Sequence, residues 1–125
     1  MKRVTGIGGI FFKSPDPERL RAWYRSHLGM DIEAWGGMAF QWAGPDNPRG
    51  TGSTIWSAFK QDSDTFTAPF MINYRVADLP ALLAALREEG CQVLDKVDDS
   101  EYGKFGWVID PDGNKVELWQ PPEGS

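Results

Sequence analysis

Two helices are predicted by apolar residues that recur every three or four positions. The first begins after Asp16, a suitable N-cap, with Pro17 in its first turn, and it ends at Gly29. The second begins after Asp78, carries Pro80 in its first turn and ends at Gly90. The predicted buried stripes are Leu20, Trp23, Tyr24, His27 and Leu28 in the first helix, and Leu79, Leu82, Leu83 and Leu86 in the second. Arg19, Arg21 and Arg25 fall on the predicted solvated side of the first helix.

Strands are predicted where β-branched and aromatic residues cluster between Gly and Pro. The first covers residues 4–13, and its three glycines indicate a place where another group approaches the backbone closely. Two short strands are expected within 31–43, and single strands at 54–59, 70–76 and 91–97. Residues 44–52 are rich in Pro and Gly and predict a loop, and residues 60–69 predict a polar connector.

The strongest strand prediction is a hairpin near the end of the sequence. Residues 104–110 and 114–119 are apolar and aromatic, and the Asp-Pro-Asp-Gly sequence at 110–113 supplies a tight turn. Period-two alternation places Val116 and Leu118 on one face and Lys115, Glu117 and Trp119 on the other. Glu117 then has two interpretations, a residue of a half-solvated sheet face or a functional carboxylate.

The two halves of the predicted element order repeat each other. Each consists of one strand, an Asp-capped helix and about three further strands, which gives a βαβββ module at about residues 3–60 and again at about residues 69–121. A half of this size buries little core alone, so both modules should form one domain over residues 1–125 with a cleft between or within their sheets.

Composition narrows the class of protein. With 41% hydrophobic and 25% charged residues, and no apolar run near the ~20 residues of a membrane span, the chain is expected to be soluble. No secretory signal is evident, so a cytoplasmic location is expected. The single cysteine, Cys91, is predicted to be a small buried residue. A net charge of −5 argues against nucleic-acid binding and favours neutral or cationic ligands.

Three segments carry a family resemblance across essentially the whole chain: WYRSHLGM at 23–30, NYRVADLPALLAALREEGCQV at 73–93 and WVIDPDGNKVELWQP at 107–121. Together they resemble the glyoxalase/bleomycin-resistance/dioxygenase family, the vicinal oxygen chelate proteins. The resemblance implies an α+β fold in which paired βαβββ modules form a curved, cupped mixed sheet of eight strands, commonly in a homodimer. Activities in that family include lactoylglutathione lyase, extradiol dioxygenase, fosfomycin-modifying thiol transferase and metal-free bleomycin binding.

The resemblance also implies where metal-using members place their ligands, on the first and last strands of each module. Those positions hold Gly9, Met71, Trp56 (or Ser57 if the register slips by one) and Glu117. Only the carboxylate of Glu117 suits a metal, so no metal or other cofactor is expected, and a dioxygenase is disfavoured because it needs more protein ligands. The sole histidine, His27, is expected to cap or pack at the end of its helix.

The predicted site is therefore a small apolar cup for an organic molecule. Alternation from the implied positions places Ile7 beside Gly9 and Phe11, and adds Arg75. The predicted ligand-binding residues are Gly9, Phe11, Trp56, Met71, Asn73, Arg75, Glu117 and Trp119. One hypothesis is a metal-independent protein that binds an aromatic or amphipathic ligand by stacking and through the carboxylate. The alternative is a glyoxalase-like lyase, isomerase or transferase with Glu117 as general base or in an atypical metal site.

Overall fold

A computed structural model describes residues 3–44 and 47–123, and in these ranges an eight-stranded sheet carries two helices. The elements are β1 (Val4–Ser14), α1 (Pro17–Leu28), β2 (Gly37–Gly44), β3 (Asn47–Lys60), β4 (Phe70–Val76), α2 (Leu79–Glu88), β5 (Gln92–Val93), β6 (Asp98–Ser100), β7 (Gly103–Ile109) and β8 (Lys115–Gln120). The sheet runs β2-β3-β1-β4-β8-β7-β5, and β6 pairs with β7. This confirms the predicted α+β class with a curved mixed sheet.

The two halves meet where β1 and β4 pair antiparallel at the centre of the sheet. In each half the first strand also pairs in parallel with a later strand, β1 with β3 and β4 with β8. Ile10 lies opposite Ile72, and these residues are as far apart in sequence as the helix caps Asp16 and Asp78. The pair therefore marks an approximate two-fold axis between the repeated halves.

The caps of both helices follow the sequence prediction. Asp16 Oδ1 accepts a hydrogen bond from the Arg19 amide at 3.2 Å, and Asp78 Oδ1 accepts one from the Ala81 amide at 3.1 Å. Gly29 adopts a left-handed conformation with φ of 66°, which ends α1 without steric strain. The stripe of α2 is confirmed, because Leu79, Leu82 and Leu83 are buried and Leu86 packs against them.

The buried stripe predicted for α1 is wrong in part. Leu20 and Tyr24 pack against the buried cluster that contains Trp56, whereas Trp23 is 50% exposed and His27 and Leu28 are also exposed. The cause is a rotation of the helix that turns Arg21 toward the sheet. The Arg21 guanidinium donates to the carbonyl oxygens of Gly36 at 3.1 Å and Ala58 at 2.8 Å.

Three strand predictions need correction. Residues 31–36, all described, form a turn and no strand, so the first half contains one strand fewer than predicted. Most of the predicted loop at 44–52 belongs to the β2–β3 hairpin, because pairing such as Trp42 opposite Gly52 overrides the local preference of Gly and Pro; positions 45–46 lie outside the described residues. Of the strand expected at 91–97, only β5 forms. Cys91 is exposed, so its predicted burial is wrong, whereas Leu94 packs against the cluster of Phe66, Met71 and Trp107.

The sheet has a core on each face. Both helices cover one face, α1 over Trp56 and α2 over Leu118. On the opposite face, called the concave face from here on, a third cluster is centred on Phe66, Met71 and Trp107. Among the described residues, no helix has the length and apolar character needed to span a membrane.

Candidate functional site

Glu117 lies in the middle of the concave face and is 6% exposed. Its strand, β8, runs between β4 and β7, and the register places Asn73 on one side and Trp107 on the other. Asn73 Nδ2 donates to Oε1 of the carboxylate at 2.7 Å, and Trp107 Nε1 donates to Oε2 at 3.0 Å. The interpretation of Glu117 as part of a half-solvated face is therefore wrong.

Burial raises the pKa of Glu117 above the ordinary value for a glutamate, because removal from water disfavours the charged form. The hydrogen bonds from Asn73 and Trp107 oppose this shift, and so does the positive charge of Lys115; Asp98 adds to the rise. The pKa is raised on balance, so the two donors do not fully replace the water that the carboxylate loses.

A cavity of about 420 Å³ opens beside this carboxylate. Its walls combine apolar rings with charged side chains, and the lining residues are Asp64, Thr65, Leu94, Lys96, Asp98, Phe105, Trp107, Lys115 and Glu117. The ammonium groups of Lys96 and Lys115 lie 5.6 and 5.4 Å from the ring centre of Trp107. Lys115 also donates to the carbonyl oxygen of Thr65 at 3.0 Å. The cavity can thus contact an apolar body and several polar groups of one molecule.

The backbone of β1 makes room for Asn73. The side chain of Asn73 is 3% exposed, and its Oδ1 has no hydrogen-bond partner among the described residues. A Cβ atom at Gly8 would collide with this oxygen, so only glycine fits at that position. The glycines of β1 predicted a close approach to the backbone, and at Gly8 the approaching group is the Asn73 amide.

One end of the concave face is filled by apolar side chains. The ring of Phe11 lies over Gly9, so it occupies the space that a side chain at that position would take. Phe11 also contacts Phe59, with ring centres 5.4 Å apart, and it packs with the buried Met71. Gly9, Phe11 and Met71 therefore lie on the predicted face but form its packed end.

The other end carries Arg75 and Trp119. The guanidinium of Arg75 lies 5.6 Å from the ring centre of Trp42. Trp119 stacks on Phe105 with ring centres 6.3 Å apart, and its Nε1 donates to the Tyr102 carbonyl oxygen at 2.8 Å. These contacts hold both predicted residues on the concave face, beyond Asn73 and Glu117.

Trp56 and Ile7 are not on the concave face, and their predicted placement is corrected. Trp56 packs beneath α1 with its ring centre 4.8 Å from that of Tyr24, so the alternative register with Ser57 is the right one. Ser57 lies opposite Phe11 as Glu117 lies opposite Asn73. A register shift between Ile7 and Gly9 turns Ile7 to the helix side, where it lies opposite Tyr74.

Sequence reasoning missed part of the cavity wall. Trp107 could have been found, because the hairpin register of β7 and β8 places it directly opposite Glu117. Phe105 follows from the same alternation. Lys96 gave no such signal, since it lies beside an irregular segment whose position depends on the whole fold.

The residues at the implied metal positions do not fit a divalent metal. Three of the four positions hold Gly9, Met71 and Ser57, and both oxygens of Glu117 already accept hydrogen bonds from nitrogen donors. Within residues 3–44 and 47–123, no group of three or more His, Cys, Asp and Glu side chains could hold a metal ion. His27 is remote from this face and packs on Trp23, with ring centres 5.2 Å apart.

Comparisons with known proteins agree on the family and the fold. A family model described as "Glyoxalase-like domain" matches residues 9–119. Methylmalonyl-CoA epimerase from Mycobacterium tuberculosis is 20% identical and superposes with a TM-score of 0.65, over 97% of this chain and 91% of that chain. A variant of methylmalonyl-CoA epimerase from Streptomyces coelicolor, in complex with 2-nitronate-propionyl-CoA, is 17% identical with a TM-score of 0.71, over 95% of this chain and 99% of that chain.

A glyoxalase/bleomycin resistance protein/dioxygenase superfamily member from Vibrio splendidus 12B01 is 14% identical with a TM-score of 0.59, over 91% of this chain and 97% of that chain. No protein with curated function matches the sequence significantly. At these identities the structural likeness supports the fold alone.

Proposed function

The chain belongs to the glyoxalase-like domain family, and from that premise we propose that it binds a small aromatic or amphipathic molecule beside Glu117 without a resident metal. The observation that supports this proposal is the placement of a buried carboxylate in the wall of a partly apolar cavity. A carboxylate held by two fixed donors keeps its position when a ligand enters, which favours oriented binding.

The cavity residues suggest how such a ligand would be held. Phe105 and Trp107 offer aromatic surface for stacking, and a ligand O–H or N–H group could donate to a remaining lone pair of Glu117. Lys96 and Lys115 add positive charge at the same cavity, which suits a ligand with a polar or anionic end. The proposed ligand therefore combines a flat apolar body with at least one hydrogen-bond donor.

Proton transfer is the second candidate function, and the raised pKa of Glu117 favours it. A carboxylate whose pKa lies above its ordinary value is a better general base for a carbon acid next to a carbonyl group. Glu117 would take the proton, and the electrons of the broken C–H bond would move to the carbonyl oxygen. The structural neighbours named as epimerases, one of them bound to a CoA ligand, make acyl thioesters a reasonable substrate class to test.

We also propose that the protein forms a homodimer and is located in the cytoplasm. The dimer is expected from the family resemblance, and exposed apolar side chains such as Trp23 and Trp35 on and near α1 are compatible with a partner surface. The mass of the protein in solution is the measurement that tests the dimer.

Calorimetric titration with 4-alkylphenols tests the binding proposal, because each probe joins an aromatic body to one O–H donor. We expect binding to the wild-type chain, and Glu117→Gln should weaken it by about 1.5–3 kcal/mol, the scale of a hydrogen bond to a charged group. Glu101→Gln, which changes an exposed acid in the same half, is the matched control. Equal affinities for wild type and Glu117→Gln would remove Glu117 from recognition.

The proton-transfer candidate has its own measurement. A 2-methylacyl thioester incubated with the protein in D₂O should exchange its α-hydrogen, followed by NMR, and Glu117→Gln should abolish the exchange. Exchange at the uncatalysed rate with wild-type protein would exclude this activity for that substrate class and leave the binding proposal standing.

A further inference from the structure

The parallel pairing of β4 with β8 does not extend to the beginning of either strand. It starts where Asn73 lies opposite Glu117. All residues of both strands are described, and residues 70–72 of β4 and 115–116 of β8 are extended but not paired with each other. Their other edges are paired, 70–72 with β1 and 115–116 with β7. A gap therefore separates β4 from β8 at this end of the sheet.

The internal repeat of the chain shows that this gap is a departure from the pattern of the first half. Pairing between β1 and β3 begins at Gly9 opposite Ile55, two residues before Ser57. Ser57 is the counterpart of Glu117, where the pairing of β4 with β8 begins. The repeat therefore predicts two more pairs between β4 and β8 than the structure contains.

A cavity of about 280 Å³ lies at this gap. Its wall includes Met71 and Lys115 from the concave face, and Ile72 and Val116 from the face that the helices cover. Because the side chains of a strand alternate between the two faces, a cavity lined by both sets lies beside an edge of that strand. The edges of β4 and β8 that face each other are the unpaired ones, so the cavity separates two open strand edges.

The charged groups in the wall of this cavity already have partners. The carboxylate of Asp110 accepts hydrogen bonds from the backbone amides of Asp112 at 2.9 Å and Asn114 at 2.8 Å. The ammonium group of Lys115 donates to the carbonyl oxygen of Thr65. An uncharged ligand is therefore favoured here, and the open strand edges present backbone N–H and C=O groups to it.

We propose that this cavity is a second binding site, which takes a small uncharged molecule with one amide group and a short apolar chain. An amide carries the donor and the acceptor that a neighbouring strand would present, so it can pair with the edges of β4 and β8. Phe66 and Ile109 offer apolar surface for the chain. The volume is just below the range of about 300–1,000 Å³ that is typical of sites for drug-sized ligands, so the ligand is smaller than those.

Isovaleramide is a suitable probe, because it joins a primary amide to a short branched chain and has no aromatic ring to stack in the Glu117 cavity. In a titration followed by NMR of the backbone amides, the signals of Ile72 and Val116 should shift and saturate at millimolar concentrations. N,N-Dimethylisovaleramide keeps the carbonyl group and the chain but has no N–H group. It should bind about fivefold to tenfold more weakly, the scale of one lost hydrogen bond.

A variant that fills the gap tests the location of the site. Val116→Phe should weaken isovaleramide binding by about tenfold or more, because its ring occupies the cavity. Val97→Phe is the matched control, since Val97 is exposed and lines neither this cavity nor the Glu117 cavity, and it should bind isovaleramide as the wild type does. If Val116→Phe does not fold, Ala68→Phe introduces the ring from the exposed connector and should give a similar loss.

Three results would overturn the second site. Unchanged Ile72 and Val116 signals in the wild type would mean that water alone fills the gap. Equal affinities for the two amides would show that the strand edges do not recognise the N–H group, and unchanged binding in the filled variant would place the probe elsewhere. The proposed function at Glu117 is tested separately by the alkylphenols, so either proposal can fail without the other.

Discussion

Glu117→Gln is predicted to make the folded protein more stable at neutral pH, although it removes a charge that accepts two hydrogen bonds. In the wild type, both partners of the carboxylate are donors, namely Asn73 Nδ2 and Trp107 Nε1. An amide at position 117 presents one acceptor and one donor, so one of these contacts must change. Asn73 can make the change by turning over its own amide, because its Oδ1 has no partner among the described residues. That oxygen would accept from the new amide, and Trp107 would keep its acceptor.

Glu117→Gln is expected to raise stability because the pKa of Glu117 is raised in the folded protein. A carboxyl group whose folded-state pKa lies above its unfolded-state pKa stabilises the fold only while it is protonated. That contribution is complete below the ordinary glutamate pKa of about 4.3, and it is lost as the pH rises through the raised folded-state value. The Gln side chain mimics the protonated carboxyl group at every pH. At neutral pH the variant therefore keeps the stabilisation that the wild type loses.

The change in unfolding free energy caused by Glu117→Gln is the difference between two opposed contributions. Two charge-assisted hydrogen bonds become neutral ones, which loses about 1 kcal/mol each, while the desolvation of a carboxylate costs several kcal/mol even after relaxation. The direction of the pKa shift indicates that desolvation outweighs the hydrogen bonds. We expect a gain of about 1 kcal/mol at pH 7, which corresponds to about 0.5 M in the urea midpoint.

Urea unfolding followed by far-ultraviolet circular dichroism measures this difference without relying on Trp107 as a probe. The gain should be present at pH 7 and vanish below about pH 4, where both proteins are neutral at this position. Glu101→Gln serves as the exposed control and should match the wild type. Glu117→Leu should lose about 1–3 kcal/mol for each donor left without an acceptor. A less stable Glu117→Gln at pH 7, or a gain that does not depend on pH, would refute this reasoning.

Four further predictions concern the surroundings of this group and the chain as a whole. Trp107→Phe keeps an aromatic ring but removes the donor to Oε2, so it should raise the pKa of Glu117 further in an NMR titration and lower stability by about 1 kcal/mol at pH 7. Gly8→Ala places a methyl group against Asn73 Oδ1 and should lower the unfolding free energy by about 1–3 kcal/mol, more than Gly113→Ala, where open space surrounds the backbone and only the positive φ of 86° is strained. Elemental analysis after dialysis against a mild chelator should find far less than one divalent metal per chain, because Glu117 is the only suitable donor at the implied positions; a stoichiometric metal would contradict this. Light scattering after gel filtration should give twice the mass of one chain at micromolar concentration, and the mass of a single chain would exclude the proposed dimer.

Local signals predicted the parts of the fold that local chemistry determines. The capping of α1 by Asp16, its end at Gly29 and the hairpin around Glu117 depend on residues close in sequence, and all three are confirmed. The β2–β3 hairpin was missed because its Pro and Gly residues disfavour strands locally, and only pairing with a neighbouring strand stabilises them there. The exposed Trp23 was predicted to be buried because a helical stripe does not reveal how the helix is rotated on its sheet.

The candidate site likewise contains residues that local sequence patterns predict and residues that they do not. The face of Glu117 and its neighbour Asn73 could be predicted from alternation and family resemblance, and the structure brings the two residues together. Trp56 was predicted on the wrong face of the sheet, because a shift of one residue in register moves every side chain of a strand to the opposite face. Phe66 could not be predicted, since a polar connector gives no periodic pattern and its buried position depends on contacts with both halves.

The central pairing of β1 with β4 has a consequence for how the chain is made. Because β1 precedes β4 in the chain, one edge of β1 stays open until β4 has left the ribosome, and an open edge is a template for aggregation with other chains. Three glycines and two register irregularities make β1 a poor template during that interval. The glycine that admits the Asn73 amide in the folded protein is therefore also expected to weaken pairing of β1 with other chains during synthesis.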